Sequence, residues 1–137
     1  MIGNNSWASG DKAVAIGDNS TAEGEKTIAI GKNGHAEGYN TIAGYNAHSE
    51  GTDTKAIGHS SHTSGTGTIA RNDNQFVIGT YNEVTDDIFI VGDGTEDTNR
   101  KNIFKVGKNG GYFDGDVEIK GQIIVNDNNI LESLNDI

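Results

Sequence analysis

The chain has 137 residues, with 20 glycines, no proline, no cysteine and a formal net charge of −10 at pH 7. So acidic a surface repels phosphate backbones, which excludes nucleic acid as a partner, and the lack of cysteine removes disulfide frameworks and thiolate metal sites. No apolar run approaches a membrane span, so membrane insertion is not expected, and the N-terminal MIGNNSWASG has neither a basic nor an apolar leader region; the expectation is a route such as virion assembly, or a fragment of a longer protein.

From the N-terminus, glycine stands at 3, 10, 17, 24, 31 and 38 and, after a one-residue deletion, at 44, 51, 58 and 65. With glycine as position one of a heptad, position six is small in every copy: Ala8, Ala15, Ala22, Ala29, Ala36, Ala43, Ser49, Ala56, Thr63 and Ala70. Positions five and seven alternate in character. One set contains Val14, Ile16, Ile28, Ile30, Ile42, Ile57 and Ile69, and the other contains Trp7, Thr21, Glu23, His35, Glu37, His48, Glu50 and His62. The true repeat is therefore fourteen residues. A glycine in every heptad rules out a coiled coil, and β-branched residues dominate the apolar positions, so each unit reads as two short strands joined by tight turns. Stacked units make two parallel sheets over a thin interior filled by position six.

That arrangement leaves an apolar ladder of Val14, Ile16, Ile28, Ile30, Ile42, Ile57 and Ile69 on one flank, too large for a soluble monomer to expose. The natural cover is the same ladder from another copy, so self-association with closed symmetry is expected. The opposite flank carries His35, Glu37, His48, Glu50 and His62 and is the candidate receptor face, for a host-cell surface protein or glycan. The deletion before Gly44 is where a bulge is expected.

After residue 70 the heptad stops. Apolar runs at 75–79, 87–92, 103–107, 116–121 and 122–126, with reversals at 81–82, 93–94 and 109–111, predict a small antiparallel β module over 71–128. Phe76, Phe89, Phe104, Tyr112 and Phe113 are its expected core. Over 129–137, Asn129 as N-cap, Glu132 three residues on and the spacing of Ile130, Leu134 and Ile137 predict the start of a helix with a coiled-coil seam, three more candidates for the self-association interface.

The segments AVAIGDNS (13–20), TIAIGKNG (27–34) and TKAIGHSS (54–61) resemble the SVAIGxxS repeat of YadA-like heads in trimeric autotransporter adhesins. The resemblance implies a left-handed parallel β-roll over 1–70 and supplies the number three for the oligomer. From RNDNQFVIGTYN onward the chain resembles segments of bacteriophage and prophage tail fibres that carry the same head repeat.

Motifs for chemistry are sparse. The stack of His35, His48 and His62 beside Glu37 and Glu50 has the donor types of a divalent-metal site, but repetition aligns such residues automatically, and no metal or cofactor is assigned. His59 falls in a turn. The loop 92–102 has the oxygens of Asp93, Glu96 and Asp97 without the order of a calcium loop, and Arg100 and Lys101 are expected to neutralise it. Trp7, in the first coil, is expected to seal the end of the core or to abut a preceding domain. Neither a nucleotide loop nor a nucleophile elbow is present, and the pairs Asp86/Asp87 and Asp114/Asp116 lie in turn-rich segments. The expected function is a non-enzymatic homotrimeric structural and receptor-binding segment of a phage or prophage tail fibre, in the virion. A head fragment of a bacterial surface adhesin is the alternative, and a fibre-borne glycan depolymerase the third reading.

Overall fold

The computed structural model describes residues 3–126 and 128–129, and every regular element among them is a strand. One sheet has nine strands in the order β1 (Trp7–Ser9), β3 (Thr21–Glu25), β5 (His35–Tyr39), β7 (His48–Thr52), β9 (His62–Thr63), β11 (Phe76–Thr80), β12 (Phe89–Asp93), β13 (Asn102–Gly107) and β14 (Gly110–Phe113). The other has five two-residue strands: β2 (Val14–Ala15), β4 (Ile28–Ala29), β6 (Ile42–Ala43), β8 (Lys55–Ala56) and β10 (Ile69–Ala70). Coils of fourteen residues alternate between the sheets, so Ala15 lies beside Ala29 and Ala22 beside Ala36, all parallel. This is a parallel β-solenoid of about six coils followed by antiparallel strands.

Position six fills the interior, as its constant small size predicts. Ala15, Ala22, Ala29, Ala36, Ala43, Ala56 and Ala70 all have zero exposure. In the coils where position six is Ser49 and Thr63, the interior instead carries a chain of hydroxyls: Ser49 Oγ lies 2.8 Å from Thr54 Oγ1 and 2.9 Å from Thr63 Oγ1.

The glycines answer two different demands. Gly24 lies at φ +118 inside β3, where an L side chain is strained and a Cβ would also come within 2.0 Å of the Gly38 carbonyl oxygen, whereas Gly17 is needed for close approach alone, since a Cβ there would come within 2.2 Å of the Gly31 carbonyl oxygen in the next coil. In that second kind of turn the left-handed residue stands two places on, at Asn19 (φ 56), Asn33 (φ 57) and Asn46 (φ 52), with a side chain suited to the conformation. The deletion before Gly44 is absorbed by that turn and makes no bulge. His35 pairs with His48 and Ala36 with Ser49 in unbroken register, and the Gly44 amide reaches the Ala56 carbonyl at 2.8 Å. The register shift in the described residues falls between Val91 and Gly92.

The region after residue 70 departs from the antiparallel expectation at its start. Strand β11 pairs parallel with both β9 and β12, so the long sheet runs on as a solenoid through Asp93 and becomes antiparallel only at β13 and β14. Tyr81–Asn82 is therefore a crossover and not a hairpin reversal. Among the described residues no strand of the five-stranded sheet follows β10. Asn82 stands in for it: its Oδ1 accepts from the Ile69 amide at 2.8 Å and its Nδ2 donates to the Ile69 carbonyl at 3.1 Å, so one side-chain amide satisfies a peptide's donor and acceptor. Arg100 Nη1 donates to the carbonyls of Gly67 (2.8 Å) and Asn82 (3.1 Å), fastening the 94–101 loop to this end of the roll.

The aromatic residues are not the core. Phe76 is 41% exposed, Tyr112 47% and Phe113 58%, while Val77 and Ile90 are the fully buried apolar side chains there. Alternation explains it: Val77 is in register with the interior residue Thr63, so Phe76, its neighbour, falls outside with His62. Residues 116–121 form no strand. Beyond them β15 (Ile124–Val125) pairs antiparallel with β16 (Asn128–Asn129). The helix expected from Asn129 onward, with Ile130, Leu134 and Ile137, lies outside the described residues except for Asn129 itself, which is in β16.

Candidate binding faces

Two outward faces follow from this packing. On the five-stranded sheet, Ile16, Ile30 and Ile57 stand 41%, 45% and 45% exposed, and Val14, Ile28, Ile42 and Ile69 are half-buried beside them. Lys55 interrupts the row, and the shortened turn at Gly44 leaves a gap where an isoleucine would stand. The described part of the predicted interface thus lies along one face of one sheet and is broken at those two places. Further along the chain Val117, Ile119, Ile124 and Val125 are 53%, 49%, 64% and 44% exposed, in a segment with little regular structure.

The nine-stranded sheet presents two rows. Its ring row runs His35, His48, His62, Phe76, Phe89, Phe104, Phe113, with successive centroids 4.8, 4.9, 4.6, 5.6, 5.7 and 4.7 Å apart. Trp7 and Thr21 continue the row backwards, and Trp7 is half exposed on this face, so it does not seal the interior. The carboxylate row is Glu23, Glu37, Glu50. Each histidine Nε2 leans towards the glutamate of the preceding coil: His35 to Glu23 at 3.1 Å, His48 to Glu37 at 2.8 Å and His62 to Glu50 at 3.5 Å. Burial pushes the Glu50 carboxyl up, but the Ser64 hydroxyl and the charges of His48 and His62 outweigh it and hold the group below its ordinary value. The sequence places the histidines and glutamates on this flank correctly. It missed the phenylalanines, which extend the ladder outward, stacked between Phe76 and Phe89, edge to face between Phe89 and Phe104 and tilted between Phe104 and Phe113.

The remaining candidates do not converge. Asp97 pairs with Arg100, Lys101 reaches Asp114 at 2.7 Å, and the acidic loop closes on itself through Thr95 and Asn99. Neutralisation is thus shared differently from expectation, since Lys101 serves a residue outside the loop. His59 stacks on Tyr45 at 5.1 Å in a turn. Asp86 and Asp87 line a cleft of about 570 Å³ with Lys105, Lys108 and Tyr112, where Asp87 accepts from Thr85 Oγ1 at 2.6 Å and lies 3.4 Å from Lys105 Nζ.

No curated protein and no solved structure matches the chain significantly. The family model of the YadA head domain repeat does match, at residues 2–20, 8–33, 22–43 and 49–70, over the coils whose alanine interior and glycine stacking are described above. YadA head domains are structural units of cell-surface adhesins. Through residues 2–70, this chain belongs to the YadA head domain repeat family.

Proposed function

We propose that the chain is a homotrimeric, non-catalytic structural and receptor-binding segment of a phage or prophage tail fibre. The observation that carries self-association is the isoleucine face, and the number three follows the likeness to trimeric YadA-type heads. Ile16, Ile30 and Ile57 each keep nearly half their surface in water in a single chain, and covering the remainder contributes about 1 kcal/mol per side chain. Three copies closing these faces around an axis leave the His/Glu and phenylalanine rows outward, where a receptor or glycan can reach them. The exposed Val117, Ile119, Ile124 and Val125 fit the same reading, since a segment without its own core gains one from sister chains. The fibre context rests on the likeness of the region from Arg71 onward to tail-fibre segments.

The test is mass in solution by light scattering. Wild type is expected at three times 14.5 kDa, and the double variant Ile30→Lys/Ile57→Lys at the monomer mass. A monomeric wild type refutes the proposal. Because the family is one of surface adhesins, the second reading is a bacterial adhesin head. Antibody labelling separates the two, with purified virions labelled in the first case and intact bacteria free of phage in the second.

A further inference from the structure

We propose that His35, Glu37 and His48 form a binding site for a divalent transition-metal ion, Zn²⁺ or Ni²⁺, on the outer face of the long sheet. One ligand atom from each residue falls within a group whose members all lie within 4.8 Å of one another. The two imidazoles come from neighbouring coils and stack nearly parallel, with centroids 4.8 Å apart and planes 17° apart. Glu37 Oε1 already approaches His48 Nε2 at 2.8 Å. Zinc–nitrogen and zinc–oxygen bonds are about 2.0–2.2 Å, which places ligands of one tetrahedral ion roughly 3.3 Å apart. The three side chains are half-exposed, and their ligand atoms draw together from within 4.8 Å to that spacing when an ion binds.

Repetition alone would make every rung of the ladder such a site, and it does not. His48 and His62 meet edge to face at 86° and Glu50 lies 3.5 Å from His62, and among the described residues only His35, Glu37 and His48 gather their ligand atoms within 4.8 Å of one another. On the other side, the rung above His35 is Thr21, which leaves Glu23 with one imidazole. Glu23 and Glu50 flank the triad and add negative charge that favours a cation. Two neutral imidazoles with a carboxylate suit zinc or nickel and are poor ligands for magnesium or calcium, which prefer all-oxygen shells.

The test uses the full chain and isothermal titration with ZnCl₂ and NiCl₂ at pH 7.5, with MgCl₂ and CaCl₂ as hard-cation comparisons. One transition-metal ion per chain is expected, with no heat from magnesium or calcium and a metal-dependent rise in melting temperature. His35→Gln and His48→Gln should each weaken binding by more than about tenfold, while His62→Gln keeps it. Circular dichroism of each variant verifies that the solenoid is intact. No binding of zinc or nickel to folded wild type overturns the proposal, as does binding that survives in the His35→Gln/His48→Gln double variant.

Discussion

Thr27, Thr41 and Thr54 occupy the same place in three successive coils, all with zero exposure, yet their hydroxyls differ. Thr54 Oγ1 lies 2.8 Å from Ser49 Oγ and donates to the Glu50 carbonyl at 3.1 Å, whereas Thr27 Oγ1 and Thr41 Oγ1 have no partner. The cause is the interior residue opposite, alanine in the first coils and Ser49 in the third. A buried hydroxyl without a partner costs about 1–3 kcal/mol, and valine has the same shape and β-branching. Thr27→Val and Thr41→Val should therefore each stabilise by about 1 kcal/mol, or about 3–5 °C in melting temperature. Thr54→Val should lower stability by about 1 kcal/mol, because it breaks satisfied bonds and leaves Ser49 with Thr63 alone. Melting curves at one fixed protein concentration compare the three, since association shifts the midpoint. Should Thr27→Val or Thr41→Val destabilise as much as Thr54→Val, the assignment of unpaired hydroxyls is wrong.

Asn82→Ala strips the Ile69 amide and carbonyl of their partners in a fully buried place and should cost about 2–4 kcal/mol in urea unfolding; a loss under 0.5 kcal/mol would show that the side chain does not replace a strand. Lys12 is exposed at φ 58, and the equivalent place four coils on is Gly67 at φ 64, so Lys12→Gly should raise stability by about 0.5–1 kcal/mol; Lys26→Gly should gain less, because it also forfeits the 2.8 Å contact with the Tyr39 hydroxyl. With its folded value depressed, Glu50 contributes stability that is fully present above its ordinary value of 4.5 and lost as pH falls through the lower folded value. Glu50→Gln should then flatten the acid side of a stability–pH curve, and an unchanged slope would discount the contribution of Ser64 and the histidines.

The fourteen-residue unit was legible because its interior takes only small side chains at position six, and these recur from Ala8 to Ala70 with Ser49 and Thr63 among them. Its continuation through β11 and β12 was obscured where that rule relaxes. Past Ala70 no strand of the second sheet stands opposite among the described residues, and Val77 and Ile90 fill the interior in place of alanine. The signal nevertheless persists in the glycines, since Gly65, Gly79 and Gly92 follow one another at intervals of fourteen and thirteen, the second matching the shortened coil between His35 and His48. Asn82 was not legible as a strand surrogate, because nothing local distinguishes an amide that pairs with a peptide thirteen residues away from an ordinary turn asparagine.

The outward rows follow a different logic from the inward ones. Coil geometry depends on the buried alanines, on glycines that neighbouring backbones approach within van der Waals distance, and on left-handed asparagines in the turns; none of these faces the long sheet's outer surface. That surface can therefore change from His/Glu to phenylalanine between His62 and Phe76 with no break in register. Parallel register also stacks any residue on its counterpart at roughly 4.8 Å, so a ladder by itself carries little information about function. What distinguishes a rung is what repetition does not impose. Between His35 and His48 the rings are parallel and the ligand atoms gather with Glu37 within 4.8 Å, whereas between His48 and His62 the rings are crossed. Side-chain orientation of this kind has no trace in the spacing of the sequence, so the face was predictable from the repeat and the particular rung was not.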